Sequence, residues 1–190
     1  MRKKGAYTVK SGYKLLTKAY MVNNNIGGST DQKMWKRIWG TSLPRKIHVF
    51  LWRILHGILP VNVNLERKKI MVEKTCSRCL NADETSYHAL QGCKAAADVW
   101  NQLQWDWDKD QTEYMEMSSW LVNNMVIFNQ EQTQQAAITI WTIWNGRNGE
   151  RQGEPKRPAA MSACFVKRFL EEYNNAQVKN NLISRVISSH

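Results

Sequence analysis

The sequence predicts a mainly α fold, a small helical domain followed by a helical C-terminal region. Three observations lead there. Apolar residues recur every three to four positions through most of the 190-residue chain, and no convincing pair of alternating strand-like runs interrupts them. The hydrophobic fraction of 43% suffices for a packed core. A short window from Cys76 to Cys93 gathers three of the four cysteines with one histidine, as a small metal-pinned segment would.

Taken in order, "SGYKLLTKAYMV" has Ser11 as a helix N-cap and Tyr13, Leu16 and Tyr20 at helical spacing. "NNNIGGSTDQ" is a turn-rich loop. "KMWKRIWG" is a short helix expected to end at Gly40. "SLPRKIHVFLWRILHGIL" is the strongest helical signal. Ile47, Phe50, Leu51, Ile54, Leu55 and Ile58 fall on one stripe, with Ser42 expected as cap, Pro44 in the first turn and Pro60 as the stop. "NVNLERKKI" reads as a short basic helix. After the cysteine window, Ala96, Val99, Trp100 and Leu103 share a helical face. "WDWDKDQ" is an acidic connector. "EYMEMSSWLVNNMVIF" and "QQAAITIWTIWNGRN" read as helices, "NGERQGEPKRP" as a basic loop, and a last helix starts near Pro158 and is expected to fray in "NNAQVKNN".

The window spacing is C-x2-C-x8-H-x4-C, formed by Cys76, Cys79, His88 and Cys93. Two cysteines with two residues between them can aim both sulfurs at one ion across a tight turn. His88 and Cys93 complete a tetrahedron. Three thiolates and an imidazole suit Zn²⁺, whose structural sites fill every position with protein ligands; an iron–sulfur cluster more often takes four thiolates. With no open position, the site reads as structural. The knuckle is expected to lie against the Ile47–Ile58 helix. Lys74, Arg78 and Lys94 are near enough in sequence to offset its negative charge. Cys164 lies far off, on the apolar side of the last helix, and reads as a buried small hydrophobe.

The motifs around this window resemble the zinc-binding domain of reverse transcriptases from plant LINE-type (non-LTR) retrotransposons. Trp35 and Trp39 lead in. Pro44, Lys46, Phe50, Leu51, Trp52 and Arg53 match a P-x-K-x-x-x-F-L-W-R helix. Leu59, Pro60, Asn62, Leu65 and Arg67 match L-P-x-N-x-x-L-x-R, and Glu84, His88, Cys93, Val99 and Trp100 complete the pattern. The resemblance spans about residues 33–100. It extends weakly to "GAYTVKSGYKLL", similar to a segment linking polymerase and zinc domain, and to "TIWTIWNGRN", similar to the Trp-rich segment before RNase H. Neither the polymerase nor the RNase H domain is expected in this chain, which implies a fragment or a host gene derived from such an element. The resulting divisions are residues 1–32 as linker and helix, 33–105 as zinc-binding domain and 106–190 as helical tail.

Charge points to the partner. The net charge is +11, and residues 33–78 alone hold eleven basic and two acidic side chains. A concentrated surplus suggests a polyanion. Lys36, Arg37, Arg45, Lys46, Arg53, Arg67, Lys68, Lys69 and Arg78 are the expected contacts to RNA or DNA, mainly at phosphates, with the basic loop at Arg151, Lys156 and Arg157 expected to lie away from them. Trp35, Trp39 and Trp52 interleave with these cations, though most of the tryptophans read as core. Asp106, Asp108 and Asp110 open like a Ca²⁺ loop, but Gln111 and Met117 hold the places where Gly and Glu belong. No carboxylate cluster follows a strand-like run, and no phosphate loop or framed serine is present, so no catalytic activity is expected. The expectation is a non-catalytic, zinc-stabilised nucleic-acid-binding module; the alternative is a protein-interaction adaptor on the same scaffold. No apolar run is long enough for a membrane span, and the N-terminus has no apolar signal region, so the expected location is intracellular, in nucleus or cytoplasm.

Overall fold

The computed structural model describes residues 36–70, 73–105 and 116–188. The expected helix capped by Ser11, the loop after it, Trp35 and the acidic connector from Asp106 lie outside the described residues. The chain divides into two compact units, Met1–Gly40 and Thr41–His190. Of the first, residues 36–40 are helical, ending at Gly40 as the sequence predicts.

The second unit is helical: α1 (Arg45–Leu55), α2 (Asn62–Arg67), a π-helical turn (His88–Gly92), α3 (Lys94–Gln102), α4 (Met117–Ile127), α5 (Gln130–Arg151) and α6 (Ala159–Ser188). Among the described residues the β structure is one isolated antiparallel bridge, Thr75 with Asp83. None of the described helices is long and apolar enough to cross a membrane.

Helix α1 buries Ile47, Phe50, Leu51, Ile54 and Leu55, as its stripe predicts. Its ends differ from the expectation. Pro44 holds the N-cap position, and its carbonyl accepts from Ile47 and His48. The Ser42 carbonyl instead accepts from Gln134 Nε2 at 2.7 Å. The stop is Gly57, not Pro60. Gly57 adopts φ +61°, and Gly57 N–H and Ile58 N–H bond back to the carbonyls of Ile54 and Arg53. That pair of bonds is the left-handed helix terminator that glycine favours. It turns the chain before Ile58 can join the stripe, leaving that side chain 43% exposed.

Helix α5 is the central element, packed against α1, α3, α6 and the π-turn. Asn129 and Gln132 form a reciprocal capping box at its start. Ala136, Ala137, Ile138, Ile140, Ile143 and Trp144 are all buried, a helix apolar on more than one side. Its buried Thr133, Thr139 and Thr142 hydroxyls donate to carbonyls one turn back at 2.7–2.8 Å, which satisfies them without a partner from elsewhere. The helix runs through "NGER", so the basic loop shrinks to residues 152–158. Helix α6 likewise continues through "NNAQVKNN" to Ser188 rather than fraying there.

On α3, Ala96, Val99 and Trp100 are buried, and so is Leu103 at its C-cap. Trp100 joins Trp105, Trp120 and Phe128 in an aromatic cluster with ring centroids 5.4–6.1 Å apart. Cys164 is exposed, contrary to expectation; α6 turns Ser162, Ala163 and Val166 inward instead.

Ile54 and Ile58 make a direct test of the helix stop. Ile54→Ala is expected to destabilise the fold by about 2–5 kcal/mol, as a core truncation does. Ile58→Ala is expected to change stability by about 0.5 kcal/mol or less, both read from urea unfolding of the zinc-loaded chain.

Candidate metal centre

The Cys76–Cys79 turn is built by its backbone. The Thr75–Asp83 bridge closes it, with Cys76 N–H donating to the Ala82 carbonyl at 2.8 Å and Glu84 N–H to the Lys74 carbonyl at 2.7 Å. Leu80 N–H returns to the Cys76 carbonyl at 2.8 Å. Leu80 takes φ +58° to let the turn reverse, and its side chain is 74% exposed. The amides of the turn face the sulfurs: those of Arg78 and Cys79 donate to Cys76, those of Asn81 and Ala82 to Cys79.

The other two ligands come from the π-turn. On an α-helix, residues five apart point to different faces. Here Cys93 N–H bonds to the His88 carbonyl, five residues back, at 2.7 Å. This wider turn brings His88 and Cys93 to the same side. Thr85 Oγ1 accepts from His88 N–H at 3.0 Å and fixes where the turn begins. Cys93 also serves as N-cap of α3.

One donor atom from each of Cys76, Cys79, His88 and Cys93 lies within 4.8 Å of the others. Cys76 Sγ and Cys93 Sγ are 3.9 Å apart, and Cys79 Sγ is 3.2 Å from His88 Nε2. Zn–S and Zn–N bonds at a tetrahedral angle call for about 3.8 Å between sulfurs and about 3.6 Å from sulfur to nitrogen. The donor set therefore fits Zn²⁺. Cys76 and Cys93 are buried, and Cys79 and His88 are half-buried. Burial pushes the Cys76 thiol up to about 11, despite the amides that donate to it. The Asn81 amide is the main cause holding Cys79 below the ordinary thiol range. Burial lowers the His88 pKa, outweighing the pull of the Glu84 charge, and so favours the neutral imidazole a metal requires. A divalent cation supplies the charge that Cys76 needs in order to ionise.

Behind the ligands lies a buried polar network that the sequence did not reveal. Glu84 is fully buried and pairs with Arg147 of α5, itself 3% exposed. Arg147 Nε donates to Glu84 Oε1 at 3.0 Å, and Nη2 donates to Oε2. Glu84 Oε2 also accepts from Asn62 N–H at 3.0 Å, while Asn62 Nδ2 donates to the Thr75 carbonyl at 2.8 Å. Arg151 donates to Asn62 Oδ1. The network thus joins α2, the bridge beside Cys76 and α5. A second tie is Arg78, which donates to Glu150 through Nε and Nη2 at 2.9 and 2.7 Å. The π-turn that carries His88 packs on α3 and α5.

The expected nucleic-acid residues separate into groups. Arg45, Lys46 and Arg53 are exposed on α1, and Arg67, Lys68 and Lys69 are exposed at the end of α2. Lys46 Nζ sits 4.4 Å from the Trp141 ring centroid. Lys36 and Arg37 belong to the first compact unit. Arg78 is not on the open basic surface, because Glu150 holds it. Lys74 and Lys94 pair with Glu66 and Asp98, so their charges are already met. Arg151 touches the network beside the knuckle, so the loop region expected to be distal is adjacent to it.

The geometry defines a closed, four-ligand zinc site in a helical protein. Residues 7–100 match the family model described as "zinc-binding in reverse transcriptase"; a reverse-transcriptase-type zinc-binding domain, with Zn²⁺ as its metal, occupies this stretch. No curated protein and no solved structure matches the chain. Arg147 and Glu150, which hold the knuckle from outside, lie beyond the matched residues.

Two predictions follow from these contacts. Metal analysis of the purified chain is expected to find one Zn²⁺ per protein, lost in Cys76→Ser, Cys79→Ser and retained in Cys164→Ser. In a double-mutant cycle on the buried pair, Glu84→Gln and Arg147→Met should each destabilise by about 3–5 kcal/mol, because each strands a buried partner. The double variant should cost less than the sum of the two.

Proposed function

We propose that the protein is a non-catalytic nucleic-acid-binding module in which the Zn²⁺ centre holds a basic surface in place. The observation that carries this reading is the state of the cations near the knuckle. The ion pairs of the described residues engage Lys74, Arg78, Lys94, Arg147, Arg151 and Arg168. They leave Arg67, Lys68 and Lys69 exposed and unengaged at the end of α2, a helix that Asn62 ties to Glu84 and Thr75. Arg45 and Arg53 are exposed and unengaged on α1. Exposed cations held on a structured scaffold and outside any ion pair are available for phosphate contacts.

All four metal positions are filled by protein side chains, which leaves none for water or substrate. Glu84, the most buried carboxylate near the site, is committed to Arg147 and Asn62. Both facts support a binding role rather than chemistry. Binding through phosphates predicts affinity for RNA or DNA that is strongly salt-dependent and weakly sequence-dependent.

The test is binding of the zinc-loaded chain to single- and double-stranded RNA and DNA at two salt concentrations. Charge reversal of Arg67, Lys68 and Lys69 should weaken binding to all sequences alike. For duplex DNA, each lost contact should reduce the salt slope by about one unit. Reversal of Lys167, Arg168 and Lys179 on α6 should have less effect. Retention of a protein partner in place of nucleic acid, with no salt-sensitive nucleic-acid binding, would favour the adaptor role instead.

A further inference from the structure

A cleft of about 320 Å³ lies between α3, α5 and the start of α6, within the size range of small-ligand sites. Arg78, Asp98, Lys156, Arg157 and the first turn of α6 line it. The charges there resolve simply. Glu150 neutralises Arg78, and Lys94 neutralises Asp98 with two contacts at 3.0 and 3.1 Å. Lys156 and Arg157 remain as the surplus. Lys156 is exposed with no acidic partner, and Arg157 stands 5.9 Å from the Phe165 ring centroid.

Two further features point to an anion. Helix α6 runs from Ala159 to Ser188, and its first turn has no acidic residue. Its first intrahelical bond is Ser162 N–H to the Pro158 carbonyl at 3.1 Å. The amides of Ala159, Ala160 and Met161 precede that bond, and the proline ring at the cap position has no side-chain acceptor for them. Unsatisfied amides and the positive end of the helix dipole together favour an anion. Independently, the Arg78 side chain is only 9% exposed, and its Nη1 is buried without a hydrogen-bond partner. A charged donor left unmet in this way is costly to the fold and suits an acceptor oxygen arriving in the cleft that Arg78 lines.

We propose that this cleft is a phosphate-binding site, in which Lys156, Arg157 and the α6 amides meet the phosphate oxygens and Arg78, whose Nη1 has no partner, donates from the wall. The surplus of two cations matches one phosphate group. A backbone phosphate of nucleic acid and a free phosphate share this chemistry. Choosing the backbone phosphate rests on the nucleic-acid reading above; phosphate binding itself does not.

The experiment is a titration of the zinc-loaded full chain, followed by amide NMR, with inorganic phosphate and then with a single-stranded oligonucleotide. Phosphate is expected to shift the amides of Ala159, Ala160 and Met161 saturably. Lys156→Gln, Arg157→Gln should weaken that binding at least tenfold, while Lys167→Gln, Arg168→Gln should leave it unchanged. Competition by the oligonucleotide for the same shifts supports a backbone phosphate as the occupant. Saturable phosphate binding without that competition upholds the cleft and overturns nucleic acid as its ligand. No saturable shift with phosphate overturns the site, whatever nucleic acid binds elsewhere on the chain.

Discussion

The buried pair of Glu84 and Arg147 is the contact on which the zinc centre's setting depends. Glu84 lies inside the ligand window, between Cys79 and His88. Its carboxylate accepts from Arg147 twice and from the Asn62 amide once, and Arg147 Cζ lies 4.9 Å from the Trp144 ring centroid. Removing two charges from water is expensive, and a buried pair of this kind adds little net stability over an apolar pair. What it adds here is position. A carboxylate with several directional bonds admits few arrangements of the chain that carries it. The knuckle, α2 and α5 therefore meet in one register.

The metal and the network address different parts of one difficulty. The segment from Lys74 to Glu84 has one isolated bridge and few apolar side chains turned inward. It cannot bury enough surface to hold itself. Zn²⁺ joins its sulfurs to the π-turn and so contributes folding free energy directly. The Glu84–Arg147 and Arg78–Glu150 pairs then join that small unit to α5, whose buried Ile138, Ile140 and Ile143 belong to the larger core. The basic side chains at the end of α2 inherit their placement from this arrangement, through Asn62.

Much of this was legible in the sequence where a local rule applies. The four ligands follow from spacing, because a Cys-x2-Cys turn and a nearby His and Cys leave few other uses. The α1 stripe, the face of α3 and the helical character of residues 134–148 follow from periodicity. Where structure and sequence pattern differ, backbone or tertiary contacts outweigh the local signal. Pro60 is the conspicuous stop signal after α1, but Gly57 ends the helix first, with two backbone bonds. Ser42 has the chemistry of a cap, but tertiary contact with Gln134 took its carbonyl and Pro44 stood at the helix end. The partnership of Glu84 with Arg147 spans 63 residues, and no local pattern encodes a contact of that length. Glu84 and Asn62 did stand out as members of the motif; nothing in the sequence named the guanidinium they would meet.

The central claim is that the zinc knuckle and helix α5 form one cooperative unit, joined through buried ion pairs. Amide hydrogen exchange of the intact chain, with zinc bound and after its removal by a chelator, tests it most directly. Opening free energies differ between segments unless those segments unfold together. The account predicts that removing zinc lowers protection in residues 76–93 and in the C-terminal half of α5, around Ile143 to Arg147, to a similar degree. Loss of protection confined to residues 76–93, with α5 protected as before, would contradict it.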